Sequence, residues 1–229
     1  MRLAVVAMFG ALVVVPNVAD GRLHAQVPTQ VRGDGIVALV GSNTPQRGTV
    51  VILHSDVELR ARIRLTGQMR DRLPLGAVPE GLMAATLEEM IGETLIAREA
   101  ERVQVASPAA RDLVAERRRL AQQAGGEARL EQLRQATGAS REELESIASR
   151  RALVRVFLEA NLEGQSRVDD SAVERAFAGG EHPFLGQELE DVREAMRVWL
   201  TQQRLTAAVE RWVNVLRART TVRIVAPYS

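Results

Sequence analysis

Three histidines, several paired carboxylates, a triplet of arginines and a scatter of methionine and tryptophan are the residues of this 229-residue chain that could do chemistry. Histidine is the side chain best suited to general base work and to metal ligation near neutral pH. His24 falls in a leader-like segment, His54 at a strand-to-helix corner and His182 in a Gly/Pro-rich break. No two of them share helical ligand spacing, and Glu181-His182 alone is not a metal motif. The chain has no cysteine, which excludes disulfides, thiolate metal sites and cysteine nucleophiles. No serine lies in a G-x-S-x-G setting and no glycine-rich loop has P-loop spacing. The reading is therefore of no catalytic residue, no metal and no cofactor.

The carboxylate pairs Glu88/Glu89 and Glu142/Glu143 fall in expected first helical turns, where negative charge suits the positive end of the helix dipole. Arg117-Arg118-Arg119 lies in the C-terminal half of an expected helix, behind Asp112 and Glu116, and reads as a solvated face. Thirty basic residues, all arginine, meet 29 acidic ones, a net charge of +1. That balance argues against nucleic acid as the main partner, because phosphate binding needs a surplus of positive charge.

Methionine and tryptophan are the more suggestive group. Flexible thioethers and flat rings suit a surface that accepts many apolar sequences. Met69, Met83 and Met90 cluster around the second expected helix, and Met196, Trp199 and Trp212 lie on the last. Gly76 to Met83, with Val78 and Leu82, reads as a partly apolar connecting segment. Met69, Val78, Leu82, Met83, Met90, Met196 and Trp199 are thus candidate polypeptide contacts, with plain core packing as the competing role for each.

These residues need elements to hold them. Met1-Arg2, the apolar run Leu3 to Val15 and the breakers Pro16, Asn17, Asp20 and Gly21 predict a signal peptide over residues 1–25, cleaved after Ala25. No later apolar run is long enough to span a bilayer, so no stable membrane insertion is expected. Ile36 to Val40 and Thr49 to Leu53 are β-branched runs around a turn-rich loop at 41–48, which predicts a hairpin. Ser55 with Glu58 reads as a capping box opening a helix near Asp56 that ends about Met69, and Thr86 with Glu89 as a second box opening a helix to about Val103. Ser107-Pro108 predicts the start of a helix ending about Gln123. A short helix around Leu130 and Leu133 stops at Gly138, and Ser140 with Glu143 caps a long one with Leu144, Ile147, Val154, Phe157 and Leu158 inward. Val168 to about Phe177 forms a short segment, the break at 179–183 follows, and 187–218 reads as one helix. Thr221 to Val225 is a strand that must pair, and the N-terminal hairpin is its partner. The fold class is mainly α, a multi-helix core with a small sheet made from the N-terminal hairpin and the C-terminal strand.

Ile36-Val37-Ala38-Leu39-Val40, followed by Val51 to Glu58, resembles the start of the SurA family of periplasmic chaperones. Leu95 to Arg102 is similar to that family's next helix, Val168 to Val173 to its outgoing link, and Trp212 to Val225 to its closing helix and strand. The resemblance implies one chaperone core over 26–229, built from 35–178 and the returning helix and strand at 187–225. The family usually inserts a parvulin-type prolyl isomerase domain between link and closing helix. Here about ten residues join Phe177 to the last helix, leaving no room for it. The resemblance implies an ATP-independent periplasmic holdase for unfolded polypeptides such as outer-membrane protein precursors. A dedicated helical adaptor for one exported partner is the alternative, and a prolyl isomerase by family membership is the reading that the missing insert opposes.

Overall fold

The computed structural model describes residues 34–41, 48–69, 72–105, 107–162 and 168–228. The expected signal peptide and most of the hairpin loop lie outside the described residues. Strand β1 (Ile36–Val40) pairs antiparallel with β2 (Val50–Leu53), with a bulge between Ile36 and Ala38. Their β-branched side chains suit a pleated, half-buried surface. Strand β3 (Val222–Ile224) pairs antiparallel with the other edge of β1, Ala38 facing Ile224 and Val40 facing Val222. The sheet order is β2-β1-β3, so the two ends of the chain meet as the sequence predicts.

Among the described residues there are seven helices: α1 (His54–Gln68), α2 (Glu80–Arg102), α3 (Ala110–Gln123), α4 (Glu127–Thr137), α5 (Arg141–Leu162), α6 (Asp170–Gly179) and α7 (Leu189–Arg219). The mainly α class with a small sheet is the architecture observed. Helix ends are where sequence and structure part. β2 runs straight into α1, and the Leu53 amide donates to the Asp56 carboxylate at 3.3 Å. Ser55, expected as the cap, sits inside the helix and donates its hydroxyl to Asp34 at 2.8 Å. Thr86 does not open α2, which begins after Pro79: Met83 is already buried one turn earlier, and Thr86 itself faces the interior. α3 starts at Ala110, not Pro108, since the Asp112 carboxylate accepts the Ala109 amide at 2.9 Å and selects that cap. The Ser140–Glu143 box is formed as read: the Ser140 hydroxyl accepts the Glu143 amide at 3.0 Å and the carboxylate accepts the Ser140 amide. Asp169 likewise caps α6 through the Ala172 amide at 2.8 Å, and left-handed Gly138 and Gly180 end α4 and α6.

The main core joins the sheet to α1, α2, α5 and the C-terminal half of α7 around Ile52, Ile91, Ile96 and Phe157. A second cluster, with Ile63, Leu120 and Leu133, ties α1 to α3, α4 and α5. A third holds α6 to the N-terminal half of α7 through Val173, Val192 and Met196. α7 is 31 residues long, about 46 Å at 1.5 Å per residue. At 3.6 residues per turn, the Leu189–Met196 stripe and the Leu205–Leu216 stripe lie roughly 160° apart. One helix therefore packs on α6 with one side and on α2 with nearly the opposite side.

Candidate polypeptide-binding cleft

β2, α2, α3 and α5 leave a space between them near the start of α3. The cleft left there measures about 490 Å3. Ala97 of α2, Leu113 of α3, Leu153 of α5, Pro108 and the β2 residue Val50 supply its apolar wall. Thr94, Ser146 and Ser149 lie among them, and Arg98, Arg150 and Glu101 carry its charge. The volume is within the ~300–1,000 Å3 of pockets that hold organic ligands. Arg98 donates to the Gly48 carbonyl at 2.6 Å, fastening the approach to β2 against α2.

The residues singled out from sequence go to three other places. Met83 and Met90 are buried in the main core, with Val78 and Leu82 half-buried against it. Met196 is fully buried between α6 and α7, and Trp199 is half-buried beside it. Met69 follows the last turn of α1, and its carbonyl accepts from Arg129 of α4, as the Thr66 carbonyl does at 2.9 Å. In this conformation Met83, Met90 and Met196 do the packing that the apolar stripes of their helices require, and none of the seven lines the cleft. Sequence reasoning missed Ala97, Leu113 and Leu153 because each is one apolar residue on an amphipathic helix, and only the packing of three helices brings them to one space.

Both described histidines have structural partners. The His182 ring stacks on Phe177 at 4.7 Å, its Nδ1 accepts the Phe184 amide at 3.2 Å, and its Nε2 donates to the Phe177 carbonyl at 3.1 Å. These partners set the Nε2–H tautomer. His54 Nδ1 lies 2.9 Å from the Tyr228 hydroxyl, and burial, then Glu58, pushes that phenol up to about 12. Among the described residues, no three of His, Asp and Glu converge as a metal site.

Charge instead collects inside. Arg60 and Glu93 form a buried bidentate pair between α1 and α2, with Arg151 of α5 at 3.8 Å from the same carboxylate. Arg64 grips Glu89 at 2.6 Å, and Arg155 and Arg119 share buried Glu116. The small cavity at Arg60, Thr86 and Glu93 holds about 10 Å3, room for nothing larger than a water. Its signal in the sequence was a glutamate within the apolar run Met90 to Ala97. No family model, curated protein or solved structure matches this chain.

Proposed function

We propose that this chain is an exported, ATP-independent holdase that binds unfolded, apolar-rich polypeptide segments in the cleft between β2, α2, α3 and α5. The single observation carrying the proposal is that cleft: open, about 490 Å3, and walled by apolar side chains from four elements. The resemblance of the hairpin and closing helix to the SurA family adds the compartment and the client class, precursors of outer-membrane proteins. The leader over residues 1–25 supports export to the periplasm.

Binding is by apolar burial and its release is passive. Covering a few hundred Å2 at ~25 cal/mol/Å2 gives several kcal/mol gross, much of it offset by ordering the client. An affinity no tighter than micromolar follows, since that already needs about 8 kcal/mol net. The test is fluorescence anisotropy of a labelled outer-membrane barrel protein, unfolded in dilute urea, against the same barrel folded in detergent. Saturable micromolar binding of the unfolded form alone is expected, weakened by Leu153→Asp. Binding of neither form would overturn the proposal in favour of an adaptor for one partner.

A further inference from the structure

The ladder of the sheet shows which backbone groups of β2 have no strand beside them. In an antiparallel pair, bonded and non-bonded residue pairs alternate. The Gly41 amide donates to the Thr221 carbonyl and the Val225 amide to the Val37 carbonyl, both at 2.9 Å or less. These bonds flank the pairs Val40–Val222 and Ala38–Ile224, so Leu39 between them turns its own amide and carbonyl toward β3. Ala38 and Val40 must then face β2, bonding Ile52 and Val50. Val51, between those two, turns its amide and carbonyl to the outer edge. The Leu53 amide, next to face outward, is taken by Asp56 at 3.3 Å. Among the described residues no strand lies outside β2.

The side chains complete the geometry. Val50 and Ile52 point to the helices, Val50 into the cleft, while Val51 points to the other face and is 43% exposed. A strand added beside β2 stands about 4.8 Å away, and its side chains alternate as those of β2 do. The residue opposite Val51 would share its face. Its two neighbours would point to the helix side, where the cleft opens.

We propose that the client is captured as an extended strand paired with Val51 on the free edge of β2, with alternate side chains entering the cleft. This rests on the holdase reading and names the form of the ligand: extended, alternately apolar and polar, with an acidic residue. The acidic preference follows from the cleft lining, where Arg98 and Arg150 outnumber the one lining carboxylate, Glu101, with Arg98 also holding the Gly48 carbonyl. The pairing edge is one to two residues long, which keeps capture weak and sequence-tolerant.

The experiment uses the full chain and a ten-residue peptide alternating valine and threonine with one central aspartate, beside the same peptide with alternate amides N-methylated. Val51→Pro removes the outward amide at an edge position where proline is tolerated, and Val51→Ala keeps it. Expected results are about tenfold weaker binding by Val51→Pro and by the methylated peptide, about the loss of one main-chain hydrogen bond. Val51→Ala stays near wild type, and the Val51 amide becomes protected from hydrogen exchange on binding. If Val51→Pro does not fold, the methylated peptide carries the comparison alone. Equal affinity of both peptides, with Leu153→Asp still weakening them, overturns strand pairing and leaves the cleft reading standing. Failure of both the peptide and the unfolded barrel to bind overturns both. A concentration-dependent dimer of the free chain that Val51→Pro dissolves assigns the edge to a second copy, and also overturns the proposal.

Discussion

Arg60 and Glu93 meet guanidinium to carboxylate at 2.5 and 2.9 Å, and both side chains are almost wholly withdrawn from solvent. Burial alone would raise the Glu93 carboxyl, but Arg60, by charge and hydrogen bonds, with Arg151 and Arg150 behind it, outweighs burial and leaves the pKa lowered. Burial would likewise lower Arg60, and Glu93 reverses that. The pair locks α1 against α2 at the back of the helices that frame the cleft.

Removing Glu93 leaves Arg60 buried without its carboxylate, and removing Arg60 leaves Glu93 only the longer contact with Arg151, a loss of up to about 3–5 kcal/mol. Glu93→Leu and Arg60→Met should each show it in urea denaturation. The double variant should recover part of the loss, because an apolar pair of similar volume needs no counter-charge, while Arg151 still loses its Glu93 contact. Two mild single variants would remove the pair from the account of stability.

The acid limb follows from the sign of the Glu93 shift. A carboxyl lowered in the folded state is protonated first in the unfolded chain, so its contribution is present above the unfolded value and lost as pH falls through the folded one. Unfolding free energy should stay level from neutral pH to about 5, then fall below the usual carboxylate range near ~4.3. Glu93→Leu/Arg60→Met should flatten part of that fall, and an unchanged acid limb would count against it.

The chain has one tyrosine, so its titration can be read without assignment. Tyr228 is raised to about 12 by burial, then Glu58, and its absorbance at alkaline pH should rise with that midpoint in the folded chain. In urea it should return to about 10. A raised pKa means the folded state holds the proton longer. Its contribution is therefore present below the unfolded value and disappears as pH rises through the folded one. A folded-state midpoint near 10 would mean that the C-terminus is not seated on His54.

Gly67 lets the end of α1 touch the end of α3. A Cβ there would lie 2.0 Å from the Gln123 carbonyl oxygen, a backbone atom that cannot swing away. Gly67→Ala should cost about 1–3 kcal/mol or more, as overpacking does, with loss of thermal stability as the readout. Gly76→Ala, with nothing within 4 Å, is the control and should melt as wild type.

Deleting 221–229 removes β3 and its ladder with β1. The strand is a short, largely exposed edge, so the cost is that of a few backbone hydrogen bonds, about 2–6 kcal/mol, with the partial packing of Val222 and Tyr228 added to it. Circular dichroism should still show folded helix, with the urea midpoint lowered. Complete unfolding would give β3 a larger closing role than its exposure implies.

Helix existence was more legible than helix ends. The 3.6-residue spacing in α5 and α7 is long and regular, and Ser140 caps α5 as its spacing to Glu143 predicts. Thr86 carries the same T-x-x-E spacing as a true box, but it lies mid-helix with its buried hydroxyl unpartnered among the described residues. A local pattern cannot report that the helix has already started at Glu80, six residues earlier. The methionines read two ways for a related reason: a thioether suited to variable partners is equally suited to an irregular core gap, and Met83, Met90 and Met196 are buried in such cores.

From the sequence alone came the mainly α class, the hairpin and the pairing of the last strand with the first, since each depends on local pattern or on the one β partner on offer. Tertiary structure decided what depends on distance between separate elements. It placed Arg60 against Glu93 across 33 positions, swung the apolar stripe of α7 from α6 to α2, and left the cleft beside the outward backbone of Val51. A lone Ala97 or Leu153 is only an apolar residue until three helices meet around it.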